Sequence, residues 1–115
     1  MNNKLNQAEQ EILLKIAREA LEKSVSGKPL PEINLQALPS SLQTDGASFV
    51  TLTINERLRG CIGTLQPYQP LAQDVQEHAV AAALQDPRFP NVTPGELPTI
   101  AIEVSVLSPR VPVQY

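Results

Sequence analysis

The only cysteine of this 115-residue chain lies in residues 58–63, Leu-Arg-Gly-Cys-Ile-Gly, the segment best suited to chemistry. Alternate side chains of an extended strand share one face, so Arg59 and Cys61 are predicted to project together, about 6.6 Å apart along the chain. Gly63 follows on that face and, without a side chain, is expected to leave an opening beside the sulfur. Gly60 is expected on the opposite face, where another element packs closely.

Two interpretations of Cys61 follow from this spacing. A neighbouring guanidinium favours the thiolate, the nucleophilic form of cysteine, so Cys61 is a candidate catalytic residue. Arg59 would then be its electrostatic partner or the clamp for a substrate carboxylate. Free cysteines are, however, commonly small buried hydrophobes, and no base adjoins Cys61 in the sequence. Both interpretations stay open at this stage, and whether the chain is an enzyme stays open with them.

Further candidate ligand contacts are Gly60, Ile62 and Gly63 of the same segment, and three charged residues outside it. Asp86 and Arg88 flank a proline in a loop, where the acid and the base bind either each other or a ligand. Glu103 lies on the less apolar face of a later strand, where it is expected to face solvent or to share a face with Arg59.

His78 is the only histidine, and it falls at the margin of the buried stripe of a predicted helix. That position is more typical of a helix boundary residue than of a catalyst. One histidine and one cysteine among scattered acids lack the ligand spacing of a metal site, so we predict neither metal nor cofactor.

The elements that position these residues predict an α+β fold. Asn6 and Glu9 form a capping box at the start of the first helix. A packed, proline-interrupted loop with one short helical turn is expected at 28–46. Helices are predicted at 7–25 and 71–84, and strands at 47–54, 58–65 and 99–107, the first two strands as an antiparallel hairpin. Pro109 and Pro112 mark the end of the last strand.

Composition and charge exclude several functional classes. The net charge is −3 and no basic run occurs, which argues against nucleic acid as a partner. No apolar stretch approaches the length of a membrane span, and the amino terminus lacks the apolar region of a signal peptide. A single cysteine excludes an internal disulfide. We therefore expect a cytoplasmic protein.

Several motifs together resemble one known family, the AMMECR-type domain, called AmmeMemoRadiSam system protein A in bacteria and archaea. The resemblance rests on the hexapeptide at 58–63 and on motifs on both sides of it. These motifs are Gly-Ala-Ser-Phe-Val-Thr-Leu from Gly46, Pro-Leu-Ala from Pro70, Asp-Pro-Arg-Phe-Pro from Asp86, Glu-Leu-Pro from Glu96, and Ile-Glu-Val-Ser-Val-Leu-Ser-Pro from Ile102.

The resemblance implies a single α+β domain over residues 1–115 that corresponds to the amino-terminal two-thirds of the family domain. It implies a mainly antiparallel sheet flanked by helices, with a smaller irregular subdomain and with the hexapeptide lining a cleft. It implies a component of a small enzyme system whose molecular function is unestablished. Its partners would be a Memo-like protein related to dioxygenases and a radical S-adenosylmethionine protein. The component would bind a small ligand or a partner in the cleft, or would use Cys61 with Arg59 as a thiol-dependent enzyme or covalent carrier. Because relatives continue beyond the position of Tyr115, we also expect an open sheet edge and, through it, a homo-oligomer.

Overall fold

A computed structural model describes residues 5–107 and shows an α+β fold, as predicted. The helices are α1 (Gln7–Val25), α2 (Ser40–Gln43) and α3 (Leu71–Leu84), and the strands are β1 (Asp45–Ile54), β2 (Arg57–Gly63), β3 (Gln69–Pro70) and β4 (Ile100–Leu107). An antiparallel sheet has the order β2–β1–β4, and helices α1 and α3 pack against one of its faces. The two-residue strand β3 pairs with the beginning of β1.

Helix α1 has the predicted bounds, and a capping box of two reciprocal hydrogen bonds between Asn6 and Glu9 defines its first turn. Asn6 Oδ1 accepts the main-chain N–H of Glu9 at 2.8 Å, and Glu9 Oε1 accepts that of Asn6 at 2.8 Å. The buried residues of α1 recur at helical spacing: Leu13, Ala17, Ala20 and Leu21. The helix therefore forms scaffold, as its periodicity indicates.

The loop between α1 and β1 is ordered and packed, as predicted. It contains a 3₁₀ turn at Leu35–Ala37 and the single helical turn α2. Leu42 of α2 is fully buried, and three other apolar side chains of the loop pack against the core: Ile33, Leu35 and Leu38.

No helix among residues 5–107 is long and apolar enough to cross a membrane.

The β1–β2 hairpin contains an irregularity that the sequence pattern did not locate. Its turn places Asn55 and Glu56 at φ 51° and 66°, the signs that a two-residue type I′ turn requires. The register then shifts: Leu52 is opposite Gly60, whereas Thr53 is opposite Leu58. Arg59 is thus the extra residue of a β-bulge, and regular alternation along β2 is broken there.

Strand β4 alternates as predicted, but its inward side is incompletely covered. Ile100 is buried, whereas Ile102, Val104 and Val106 are only partly buried; Ala101, Glu103 and Ser105 are exposed. By contrast, Val50 and Leu52 on the neighbouring strand β1 are fully buried. The predicted end of this strand at Pro109 and Pro112 lies outside the described residues.

Candidate functional site

Cys61 lies on the face of the sheet that the helices leave open. It is opposite Thr51 on β1, and its Sγ is 3.1 Å from Thr51 Oγ1. Thr51 is in turn opposite Glu103 on β4, so the three side chains form one row across the sheet. Cys61 and Thr51 are partly buried, and Glu103 is exposed. Glu103 therefore shares a face with Cys61 rather than with Arg59.

The predicted pairing of Arg59 with Cys61 on one face is wrong, and the bulge is the reason. Arg59 extends toward the segment that follows α3, where its Nε and Nη2 donate to the two carboxylate oxygens of Glu96 at 2.9 and 3.0 Å. Its Nη1 donates to the carbonyl oxygen of Pro90 at 2.9 Å. Arg59 thus holds a loop in place, and its guanidinium is committed to protein partners.

Arg88, not Arg59, is the guanidinium next to Cys61. Asp86 Oδ2 accepts the main-chain N–H of Cys61 at 3.0 Å, and Arg88 Nη2 lies 3.5 Å from the carbonyl oxygen of Cys61. Arg88 also donates from Nε and Nη2 to the Asp86 carboxylate, at 3.0 and 2.8 Å. The two predicted candidates therefore bind each other and, together, the outer edge of β2.

The two ion pairs fix the charge of their carboxylates. Hydrogen bonds from Arg88, and then the main-chain N–H of Cys61, hold the pKa of Asp86 well below its usual range. Hydrogen bonds from Arg59, followed by the main-chain N–H of Thr93, lower the pKa of Glu96 to about 2. Both residues are therefore carboxylates at neutral pH.

Arg88 is held by Asp86 but remains half-exposed. Its side chain is 57% exposed, whereas that of Asp86 is 2% exposed. The Arg88 Cζ also lies 5.4 Å from the ring centroid of Phe89. Hydrogen bonds to Asp86, followed by the negative charge of the same carboxylate, raise the pKa of Arg88.

The glycines of the hexapeptide serve packing. A Cβ on Gly60 would overlap the carbonyl oxygen of Ala82, so α3 approaches β2 closely there, as predicted. A Cβ on Gly63 would overlap the ring of Phe49, which corrects the expectation of an opening beside the sulfur. Ile62 is opposite Val50 and packs against the core, so its side chain faces away from the open side of the sheet.

His78 belongs to a buried polar cluster on the helix-covered side of the sheet. Ser48 Oγ donates to Asp74 Oδ2 at 2.6 Å, and Gln69 Nε2 donates to Asp74 Oδ1 at 3.1 Å. His78 Nδ1 is 3.2 Å from Asp74 Oδ2, but their orientation is not that of a hydrogen bond. Ser48, Asp74 and His78 are all buried. The cluster joins α3 to β1 on the side away from Cys61.

Sequence reasoning missed two residues of this arrangement, Thr51 and Glu96. Thr51 could have been found from the hairpin register, because it lies on the outward face of β1 opposite Cys61. Glu96 had a local signal, since Thr93 and Glu96 form a second capping box. Among residues 5–107 no group of histidine, cysteine and carboxylate side chains has the arrangement of a metal site.

Comparison with known proteins settles the family. The AMMECR1 family model matches residues 14–115. The chain belongs to the AMMECR1 family. A protein of Methanothermobacter thermautotrophicus is 42% identical over 113 residues, which are 96% of this chain and 57% of the relative. A protein of Thermotoga maritima is 46% identical over 82 residues, 69% of this chain and 47% of the relative.

A solved structure supports the AMMECR1 fold of the chain. The crystal structure of the uncharacterized protein PH0010 from Pyrococcus horikoshii matches with a TM-score of 0.84 at 34% sequence identity. The match covers 93% of this chain and 55% of PH0010. The chain thus spans about half the length of the AMMECR1 relatives that it matches.

Proposed function

We propose that this chain is the binding component of an AmmeMemoRadiSam-type system in the cytoplasm. In this proposal, the sheet surface around Cys61 and Arg88 receives an anionic group of a small ligand or partner protein. The observation that carries the proposal is the position of Arg88: its ion pair with Asp86 fixes a half-exposed guanidinium beside the only thiol. Its partners would be the Memo-like dioxygenase-related protein and the radical S-adenosylmethionine protein that the family resemblance implies.

The geometry of Arg88 suits recognition of a carboxylate or phosphate. Asp86 engages Nε and Nη2, while Nη1 makes no hydrogen bond with residues 5–107. A guanidinium that a carboxylate already orients loses little side-chain entropy when a second oxyanion binds its remaining donor, Nη1. Arg88 lies beside the main chain of Cys61, and the hydroxyl of Thr51 is 3.1 Å from Cys61 Sγ, so both of these side chains can hydrogen-bond to a ligand on this face of the sheet.

Co-purification tests this proposal. The chain is expected to retain the Memo-like or the radical protein, and Arg88→Gln or Phe89→Ala should abolish retention. Arg57→Gln is the matched control, because Arg57 is an exposed arginine of β2 and its replacement changes the net charge equally. The absence of any complex, or equal loss with Arg57→Gln, would contradict the proposal.

A second candidate is a thiol-dependent enzyme or covalent intermediate carrier with Cys61 as its centre. The observation in its favour is the 3.1 Å contact between Cys61 Sγ and Thr51 Oγ1, since a hydroxyl can donate to a thiolate. Within residues 5–107 no histidine or carboxylate side chain hydrogen-bonds to Sγ, which is why we place binding first. Unchanged partner-dependent turnover in Cys61→Ser would eliminate this candidate.

A further inference from the structure

A groove, here called the α3 groove, separates helix α3 from the loop that follows α1. The loop wall consists of residues 30–33, and four residues of α3 form the helix wall at i, i+3, i+4 and i+7 spacing: Gln73, Gln76, Glu77 and Val80. Gln69, just before the helix, and Gln85, at its C-cap, also line the groove, whose volume is about 690 Å³. Because α3 has 14 residues and is roughly 20 Å long, the groove can accommodate about six residues of an extended chain.

Hydrogen bonds within the protein hold the α3 groove in shape. Gln76 Nε2 donates to the carbonyl oxygen of Pro31 at 2.9 Å and thereby joins the two walls. The carboxylate of Glu77 accepts the hydroxyl of Tyr68 at 2.8 Å and Nε2 of Gln69 at 3.1 Å. The hydrogen bond from Tyr68 lowers the pKa of Glu77, which is therefore a carboxylate at neutral pH. A ligand would meet a preformed and charged surface.

The charge of the α3 groove has one sign. Its two charged residues are both acids, Glu32 on the loop wall and Glu77 on the helix wall. Among residues 5–107, no lysine, arginine or histidine lines it. Both glutamates are exposed, and neither forms an ion pair within that part of the chain. Because a carboxylate has about four acceptor positions, Glu77 can accept further hydrogen bonds while it binds Tyr68 and Gln69.

Free amides and apolar side chains accompany the acids. The side chains of Gln73 and Gln85 form no hydrogen bond with residues 5–107, although both line the groove. Each primary amide offers a donor and an acceptor, the combination that pairs with the main chain of an extended peptide. Leu30 is 42% exposed, and Val80 is partly buried on the opposite wall. The groove thus combines acidic, amide and apolar contacts along one helix.

We propose that the α3 groove binds an extended segment of a partner protein that carries a lysine or arginine side chain. The cationic group would pair with the two glutamates, the main chain with the two free amides, and a neighbouring apolar side chain with the leucine and valine. Charge complementarity selects this occupant, because an acidic segment would be repelled. The site is separate from the surface proposed for anions, since the groove lies in the helix layer and Cys61 lies on the open face of the sheet.

Selection from a phage-displayed library of random hexapeptides tests the proposal with a defined probe. The selected peptides should share a lysine or arginine, and their affinity should fall as the salt concentration rises. The double variant Glu32→Gln/Glu77→Gln should weaken binding of the synthetic peptides at least tenfold. Glu22→Gln/Glu56→Gln is the matched control, because both residues are exposed and lie outside the groove; it should change affinity less than about twofold. Failure to enrich basic peptides, or equal losses in the two double variants, would overturn the proposal.

A second pair of variants locates the peptide without changing the charge. Gln73→Ala should weaken binding about threefold to tenfold because the peptide main chain loses a partner. Gln36→Ala should change affinity less than about twofold, since Gln36 is exposed but lies outside the groove. In the ¹⁵N-labelled chain, the peptide should shift the side-chain amide signals of Gln73 and Gln85. Peptide-induced shifts confined to Cys61 and Arg88 would overturn the proposal. So would a dimer, detected by light scattering, that Glu32→Gln/Glu77→Gln abolishes, because a second copy of the chain would then occupy the groove.

Discussion

The carboxylate of Asp86 accepts the main-chain N–H of Cys61 at 3.0 Å and in this way takes the place of a neighbouring strand. The same carboxylate binds Arg88, so one side chain both closes the edge of β2 and orients the guanidinium beside the thiol. The strand that carries the hexapeptide therefore depends on a loop 25 residues further along the chain.

Replacing Asp86 is expected to loosen β2 at Cys61. In Asp86→Ala the N–H of Cys61 and the guanidinium of Arg88 lose their partner, so the melting temperature should fall by several degrees. The Cys61 amide should exchange with solvent at least tenfold faster. The Ile62 amide, which the register directs toward β1, is the internal control and should change little. Equal acceleration at both amides would mean that Asp86 stabilises the fold only globally.

The close contact between Gly60 and α3 predicts a large cost for one methyl group. Gly60→Ala would drive a Cβ into the carbonyl oxygen of Ala82 and should destabilise the fold by about 2–3 kcal/mol in urea unfolding. Gly95→Ala is the control, because a Cβ there meets nothing within 4 Å. It should change stability by less than about 0.5 kcal/mol. Similar values for the two variants would contradict the packing role of Gly60.

Stability should decrease in acid because of the two arginine-bound carboxylates. The pKa of Glu96 is lowered from 4.5 to about 2, so its contribution is present above pH 4.5 and is lost as the pH falls toward 2. The pKa of Asp86 is lowered from 3.8, so its contribution is lost at still lower pH. The urea concentration at the unfolding midpoint is expected to stay constant near neutral pH and to decrease once the pH drops below 4.5.

Single variants show which carboxylate is responsible for the loss of stability in acid. The difference in midpoint between the parent chain and Glu96→Gln should shrink as the pH falls from 4.5 toward 2, because protonation removes the same interaction. Glu103→Gln, at an exposed site, should follow the parent chain at every pH. A constant difference for Glu96→Gln across this range would show that its ion pair with Arg59 does not contribute.

Local signals in the sequence predicted the elements well. The capping box at Asn6 and Glu9 fixed the start of α1, and strict alternation identified β4. The Asp86–Arg88 ion pair was one of two outcomes left open for that loop. Its bond to the main chain of Cys61 could not be predicted, because it depends on how α3 returns the chain to the edge of β2.

The position of Arg59 could not be predicted because one extra residue in β2 moves it off the row of Cys61. Glycine within a strand often marks a bulge, and Gly60 was such a signal, but it does not say which neighbour is displaced. The space beside Gly63 was likewise misjudged, since the ring that fills it belongs to Phe49 on the adjacent strand. Both errors concern contacts between strands, which alternation along a single strand does not encode.

We propose that Arg88, rather than Arg59, supplies positive charge to Cys61, and charge-selective alkylation tests this assignment most directly. The rate of Cys61 modification by anionic iodoacetate is divided by the rate with neutral iodoacetamide, at low salt, for the parent chain and for Arg88→Gln and Arg59→Gln. We predict that Arg88→Gln lowers this ratio about threefold to tenfold, whereas Arg59→Gln leaves it within about twofold. An unchanged ratio in Arg88→Gln, or a larger fall in Arg59→Gln, would contradict the assignment of Arg88 as the anion-binding group of this site.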